Sequence, residues 1–177
     1  MGVVTLTSES LWGSRPAPTD DLTEIRFGNT VELYHYYAEK PKDILANLKD
    51  AKILKIDCFN EVIEELQPHR NGVKPVIGKL PNVKETWCVE VNEERVEVAK
   101  KKFAADKSIH ILQGDIRSVE LPGDFDAIFD LSTIDHMPAT EAYRLLKRYR
   151  ELLKPSGWLL VIAWLTWGKS DNPSEWK

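Results

Sequence analysis

Five apolar segments, each set off from the next by a stretch long enough for a helix, constrain this chain more than any other feature. Lys52–Asp57, Thr86–Val91, Ile109–Gln113 and Ala127–Leu131 come in order, and a fifth, Trp158–Trp164, follows a Lys-Pro-Ser-Gly turn. Short apolar runs bounded by turn residues read as buried strands. Parallel strands need a connection that returns across a face of the sheet, and the intervening stretches have that length. The pattern predicts an α/β fold built on a Rossmann-like, doubly wound parallel sheet.

The intervening stretches carry helical spacing. From Asn29, the positions Val31, Leu33, Tyr34 and Tyr37, then Ile44, Leu45 and Leu48, predict two short helices separated at Pro41. Val96, Val98, Ala99 and Phe103 share one face between Asn92 and Phe103, and the Glu and Lys residues between them form a solvated face. Thr140–Leu153 reads as a helix capped by Thr140, with Tyr143, Leu146, Tyr149, Leu152 and Leu153 inward, and is ended by Pro155 and Gly157. Gln67–Lys84, which contains three prolines and two glycines, reads as a short extra helix or a loop.

A chain of 177 residues supports one domain, here 29–168, with an N-terminal arm or flap at 1–28 and a tail at 169–177. Its net charge of -4 gives no general attraction to phosphate backbones, so nucleic acid is not the expected partner. Cys58 and Cys88 lie in neighbouring apolar runs and read as reduced structural thiols. The start of the chain has neither the basic residues nor the apolar stretch of a signal peptide, and no run has membrane-spanning length. A soluble cytoplasmic protein is the expectation.

In an open parallel sheet, ligands bind past the carboxyl ends of the strands, where strand order reverses. Glu90 ends the second apolar segment, where a ribose diol can donate two hydrogen bonds to its carboxylate. After the third segment, Gly114 permits a close turn and Asp115 can accept from an adenine amino group, with Val91 and Ile116 against the ring. The fourth segment opens into a polar cluster containing Asp130, Ser132, Thr133, Asp135 and His136. Histidine exchanges a proton near neutral pH, which makes His136 a candidate general base with Asp135 beside it; a loop histidine bonded to backbone is the plainer reading.

The segments VEVNEERVEVAKKKF, ILQGDIRSVELPGDFDAIFDLSTIDHM and LLKPSGWLLVIAW, in this order, resemble the class I S-adenosylmethionine-dependent methyltransferases over Lys52 to Trp164. The resemblance implies a sheet ordered 3-2-1-4-5, counted from the segment at Lys52, and S-adenosylmethionine as cofactor. It implies methyl transfer by direct displacement to an acceptor that the sequence does not identify, a small molecule by default. The residues it points to for the cofactor are Asp57, Phe59, Glu90, Val91, Asp115, Ile116, Asp130 and Ser132, and for catalysis Asp135 and His136. No metal is implied. Asp130, Ser132 and Thr133 are candidates for the acceptor pocket, or caps of the next segment, and Tyr34, His35, Tyr36 and Tyr37 for a lid or for helix packing.

The first motif departs from the family. Lys55 stands where the family carries an acid, and Asp57, Phe59 and Glu61 stand where it carries glycine. Positive φ is costly for residues other than glycine, so this turn must be rebuilt. Glu61 near a helix start competes with any ligand carboxylate for the same amides, while Asp57 can bind an ammonium and Lys55 can pair with a carboxylate. This departure keeps a second reading open, a non-catalytic scaffold or regulatory subunit, and a third, the binding of another adenine nucleotide. The resemblance also implies two more strands after Trp164, where the sequence has few residues left. Trp158, Trp164, Trp167 and Trp176 are candidates to cover that edge, by folding back or by forming a homodimer.

Overall fold

The computed structural model describes residues 3–6, 30–68, 73, 75–78 and 80–163. Its elements in chain order are β1 (Val3–Leu6), α1 (Thr30–Leu45), β2 (Ala51–Ile56), α2 (Phe59–Leu66), β3 (Val83–Glu90), α3 (Glu93–Lys102), β4 (Ile109–Gln113) and β5 (Phe125–Leu131). A turn of 3-10 helix at Ile134–His136, α4 (Ala139–Leu152) and β6 (Leu153–Ile162) complete it. No helix among these residues is long and apolar enough to cross a membrane.

The strands pair parallel throughout, in the order β1-β6-β5-β2-β3-β4. Counted from β2, the strands expected from the sequence therefore stand as 3-2-1-4-5. In β2 the residues Ala51, Ile53, Leu54 and Ile56 are all buried, because helices cover both faces. Alternation sends Ala51 and Ile53 toward Tyr37 and Leu45 of α1, and Leu54 and Ile56 toward Leu145, Tyr149 and Leu152 of α4. Helices α2 and α3 lie on the α1 side, where Val62 and Ala99 pack with Cys58, Cys88 and Ile77.

Several local expectations are corrected. The edge beside β6 is paired with β1, from Val3 opposite Leu159 to Leu6 opposite Ile162. Four residues of the expected arm thus enter the sheet, since an open strand edge offers unpaired amides and carbonyls as a template. The C-terminal tryptophans from Trp164 onward lie outside the described residues. Pro41 lies inside one continuous helix instead of between two. Tyr37, Ala38, Pro41 and Leu45 form its buried face, and this packing outweighs the hydrogen bond that proline removes.

Helix α4 begins after Pro138 with no side-chain cap, so Thr140 does not cap it. Tyr143 is exposed and Leu145 takes the inward place. Strand β6 starts directly after the helix, at Leu153, and a register shift between Phe125 and Ala127 of β5 takes up the Lys-Pro-Ser-Gly stretch. Within Gln67–Lys84, the described Val73, Val76 and Ile77 are buried as packed, non-helical chain.

Candidate active site

The carboxyl ends of β2, β3, β4 and β5 open onto a cavity of about 620 Å³. It lies where the chain order reverses, with β3 on one side of β2 and β5 on the other. At the ends of β2 and β5, two residues other than glycine have left-handed backbone, Asp57 with φ 63° and Ser132 with φ 75°. Both line the cavity, and such backbone persists only where surrounding bonds hold it.

The turn after β2 is held by carboxylates in place of glycines. Asp57 tolerates its φ because its Oδ1 accepts the N–H of Phe59 two residues on, at 2.8 Å. Phe59 then starts α2, and its ring forms part of the cavity wall. Three neighbouring amides are also taken. Asp57 donates to the Val89 carbonyl at 2.8 Å, Cys58 to Glu90 Oε2 at 2.9 Å and Glu61 to the Cys58 carbonyl at 3.1 Å.

Lys55, which the sequence offered as a partner for a ligand carboxylate, is wholly buried. Its Nζ donates to the Asp57 carbonyl at 2.8 Å and to Asp57 Oδ1 at 3.2 Å, and lies 3.5 Å from Glu61 Oε1. Glu61 does not cap its own helix: its Oε2 accepts the Val76 N–H at 3.0 Å. Burial raises the Glu61 carboxyl to about 7 against the attraction of Lys55. Lys102, expected on a solvated face, instead donates to the Glu61 carbonyl at 2.6 Å and pairs with Glu65 at 2.7 Å.

Glu90 ends β3 with its carboxylate against the cavity, Oε1 accepting the Asn92 N–H at 2.8 Å. Arg95 lies 3.6 Å from Glu90 Oε2 and with its guanidinium 5.3 Å from the centre of the Phe59 ring. Val91, exposed, and Ile116, buried, both line the cavity. Asp115 also lines it, but both its oxygens accept from Arg117, Oδ1 from Nε at 2.9 Å and Oδ2 from Nη2 at 2.5 Å.

Asp130 is set apart from the other expected residues, since it is wholly buried and does not line the cavity. Its Oδ1 accepts the amides of Thr133 at 2.8 Å and Ile134 at 3.3 Å, and its Oδ2 accepts the Tyr149 hydroxyl at 2.8 Å. Burial lifts its carboxyl to about 6. Asp135 likewise stands behind the wall, accepting from Ser132 Oγ at 3.0 Å, while Ser132, Thr133 and His136 face the cavity. Thr133 Oγ1 donates to Asp57 Oδ2 at 3.1 Å and so ties the loop after β5 to the turn after β2.

Arg95, Arg117 and the Cys58 amide were not singled out from the sequence. The two arginines carry a faint signal, each standing a few residues beyond a strand-end carboxylate. The role of Cys58 N–H carries none, because its partner is 32 residues away. Tyr37 lines the cavity, and the side chains of Tyr34, His35 and Tyr36 lie outside the described residues.

A family model described as a methyltransferase domain matches residues 71–157. The match begins past α2, so the rebuilt turn lies outside it. No curated protein matches the chain in sequence. Among solved structures, the N-methyltransferase NodS from Bradyrhizobium japonicum, in complex with S-adenosyl-L-homocysteine, is similar with a TM-score of 0.56 and 17% identity. That likeness covers 75% of this chain and 61% of NodS. CalS10 from Micromonospora echinaspora, an amino pentose methyltransferase solved with S-adenosylmethionine bound, gives 0.53 and 16%, covering 78% of this chain and 52% of that one. The chain thus spans roughly half to three fifths of the length of these structures, which share its fold. Residues 71–157 thus match a methyltransferase domain, and the sheet has the 3-2-1-4-5 order that the resemblance to the class I S-adenosylmethionine-dependent methyltransferases implies, with a first turn built from charged and aromatic side chains where that family uses glycine.

Proposed function

We propose that this chain transfers a methyl group from S-adenosylmethionine to a small-molecule acceptor. The observation that carries the reading is the Glu90 carboxylate, which stands at the end of β3 on the wall of the switch-point cavity. Two of its lone pairs accept main-chain amides, which leaves others for a ribose diol. Val91 and Ile116 offer apolar surface for a purine, and Asp115 stands at the next strand end to accept an amino group. These residues fit an adenosyl group. At the turn after β2 the amides of Asp57, Cys58, Phe59 and Glu61 already have partners, so these four are not open to a ligand carboxylate.

When bound, the sulfonium supplies an electrophilic methyl group. The chain's part is to orient the acceptor in line with it and to exclude water, which accounts for much of the rate of such displacements. His136, on the cavity wall, takes the proton that the acceptor loses as its lone pair attacks. Asp130 and Asp135 do not touch the ligand in this reading. They position the segment bearing His136, through the Thr133 and Ile134 amides and through the Ser132 hydroxyl.

Calorimetric titration with S-adenosylmethionine and S-adenosylhomocysteine tests the reading, with Glu90→Ala and Glu90→Gln as site controls. Micromolar binding that both variants weaken by about a hundredfold is expected. No binding at millimolar ligand would overturn it and leave the scaffold reading in its place.

A further inference from the structure

The cavity has an uneven distribution of charge. At its ribose and purine end each cation is matched, Arg95 by Glu90 and Arg117 by Asp115. At the end formed by the turn after β2, one lysine is shared between two carboxylates, Asp57 and Glu61. Lys55 and Glu61 are wholly buried, so Asp57 is the member of the three that reaches the cavity.

From this asymmetry we infer that the site holds the tail of its adenosyl sulfonium by the ammonium alone, through Asp57 and Thr133, and prefers a tail that carries no carboxylate. The inference rests on the adenosyl reading given above and narrows the ligand class it implies.

Three observations support it. Asp57 Oδ2 has a single described partner, the Thr133 hydroxyl at 3.1 Å, and keeps a lone pair for an ammonium. The Thr133 oxygen, having donated its proton to Asp57, is an acceptor beside it. Of the groups at this turn that would receive a carboxylate, the amides of Asp57, Cys58, Phe59 and Glu61 each have a partner within the chain, and the buried Asn60 Nδ2, which has none among the described residues, does not line the cavity. A helix start of this kind normally attracts anions through its free N–H groups, and here acidic side chains already occupy that role. Among the described residues, the cation nearest this turn, Lys55, has no solvent exposure. A ligand carboxylate here would face Asp57, a like charge in a partly desolvated pocket.

The test is a calorimetric series on the full chain with three ligands: S-adenosylmethionine, its decarboxylated form with a 3-aminopropyl tail, and 5′-methylthioadenosine, which has neither tail charge. The decarboxylated form is expected to bind at least about tenfold more tightly than S-adenosylmethionine. Asp57→Asn, which keeps an acceptor for the Phe59 amide, is expected to weaken the decarboxylated ligand about tenfold and leave methylthioadenosine unchanged. Equal or tighter binding of S-adenosylmethionine by the unmodified chain overturns the inference, whatever the variant does. So does a preference that survives Asp57→Asn. If methylthioadenosine binds and Glu90→Ala abolishes it, the adenosyl reading stands even when the tail preference fails. If none of the three ligands binds, both readings fall.

Discussion

Lys55 of β2 and Glu61 of α2 have no solvent exposure, and their charged atoms stand 3.5 Å apart across the turn that joins the two elements. Burial alone would lower the Lys55 pKa, but the carboxylates of Asp57 and Glu61 outweigh it and hold the amine well above the ordinary lysine range. The charge arrangement of the first turn is inverted relative to the family pattern: the cation sits in the strand and the acids stand at the glycine positions.

Lys55→Met should therefore cost about 3–5 kcal/mol of stability, because it strands two carboxylates against the sheet. Adding Glu61→Leu to it should recover at least half of the loss, since a hydrophobic replacement of both partners removes the unpaired charge. Urea unfolding of the single and double variants measures both effects. A loss under about 1 kcal/mol in the single variant would mean that water reaches the cluster.

The buried acids set a pH dependence. In the folded chain Glu61 keeps its proton up to about 7, where its ordinary value is 4.5, and Asp130 up to about 6 from 3.8, both because of burial. The folded state thus binds more protons than the unfolded one between those values, so this part of the stability is full below pH 4 and is lost as pH rises through 6 to 7. For Glu61 the loss is about 3 kcal/mol, since each tenfold change in proton affinity is worth about 1.4 kcal/mol. Urea midpoints between pH 5 and 8 should fall with pH, and Glu61→Gln should flatten that slope. An unchanged slope in the variant would remove Glu61 as its source.

Gly157 is a packing requirement of the β5–β6 pairing. A Cβ there would stand 2.9 Å from the Phe125 carbonyl oxygen and 3.1 Å from that of Lys154, with Leu153 Cδ2 also at 2.9 Å. The Leu153 methyl can move, but the backbone oxygens belong to the paired strands. Gly157→Ala should destabilise the fold by about 1–3 kcal/mol, read from thermal or urea unfolding, as overpacking does. A neutral outcome would mean that the register shift at Phe125 relaxes freely.

Arg117→Ala should increase affinity for an adenosyl ligand several-fold while leaving the unfolding midpoint in place. The substitution removes the guanidinium from both oxygens of Asp115 and leaves Oδ2 open for the amino group of the purine, while Oδ1 keeps the Arg117 main-chain N–H at 2.8 Å. Calorimetry with methylthioadenosine reads the change. A fall in affinity would instead show that Arg117 contacts the ligand directly.

The sheet was readable from the sequence because its signal is local. Each strand is a short apolar run, since a strand covered on both faces needs apolar residues at every position, and Ile53, Leu54 and Ile56 show this directly. Glu90 was readable for a related reason: a charged residue that closes such a run falls at the sheet's carboxyl edge, where the cavity lies. The sequence alone, then, determined the parallel sheet, the strand order through its family likeness and the strand-end acids. Only the tertiary structure decided which of those acids face the cavity. Asp57, Glu90 and Asp115 do, whereas Asp130 turns toward Tyr149, because alternation along β5 sends it to the face that α4 covers. Tertiary structure likewise decided that Lys55 pairs inward with Glu61, that α1 continues through Pro41 and that β1 closes the edge beside β6. The physical reason is common to all of them: the energy of a buried charge, a lost helix bond or an open strand edge depends on what packs against it, and those partners are distant in the chain.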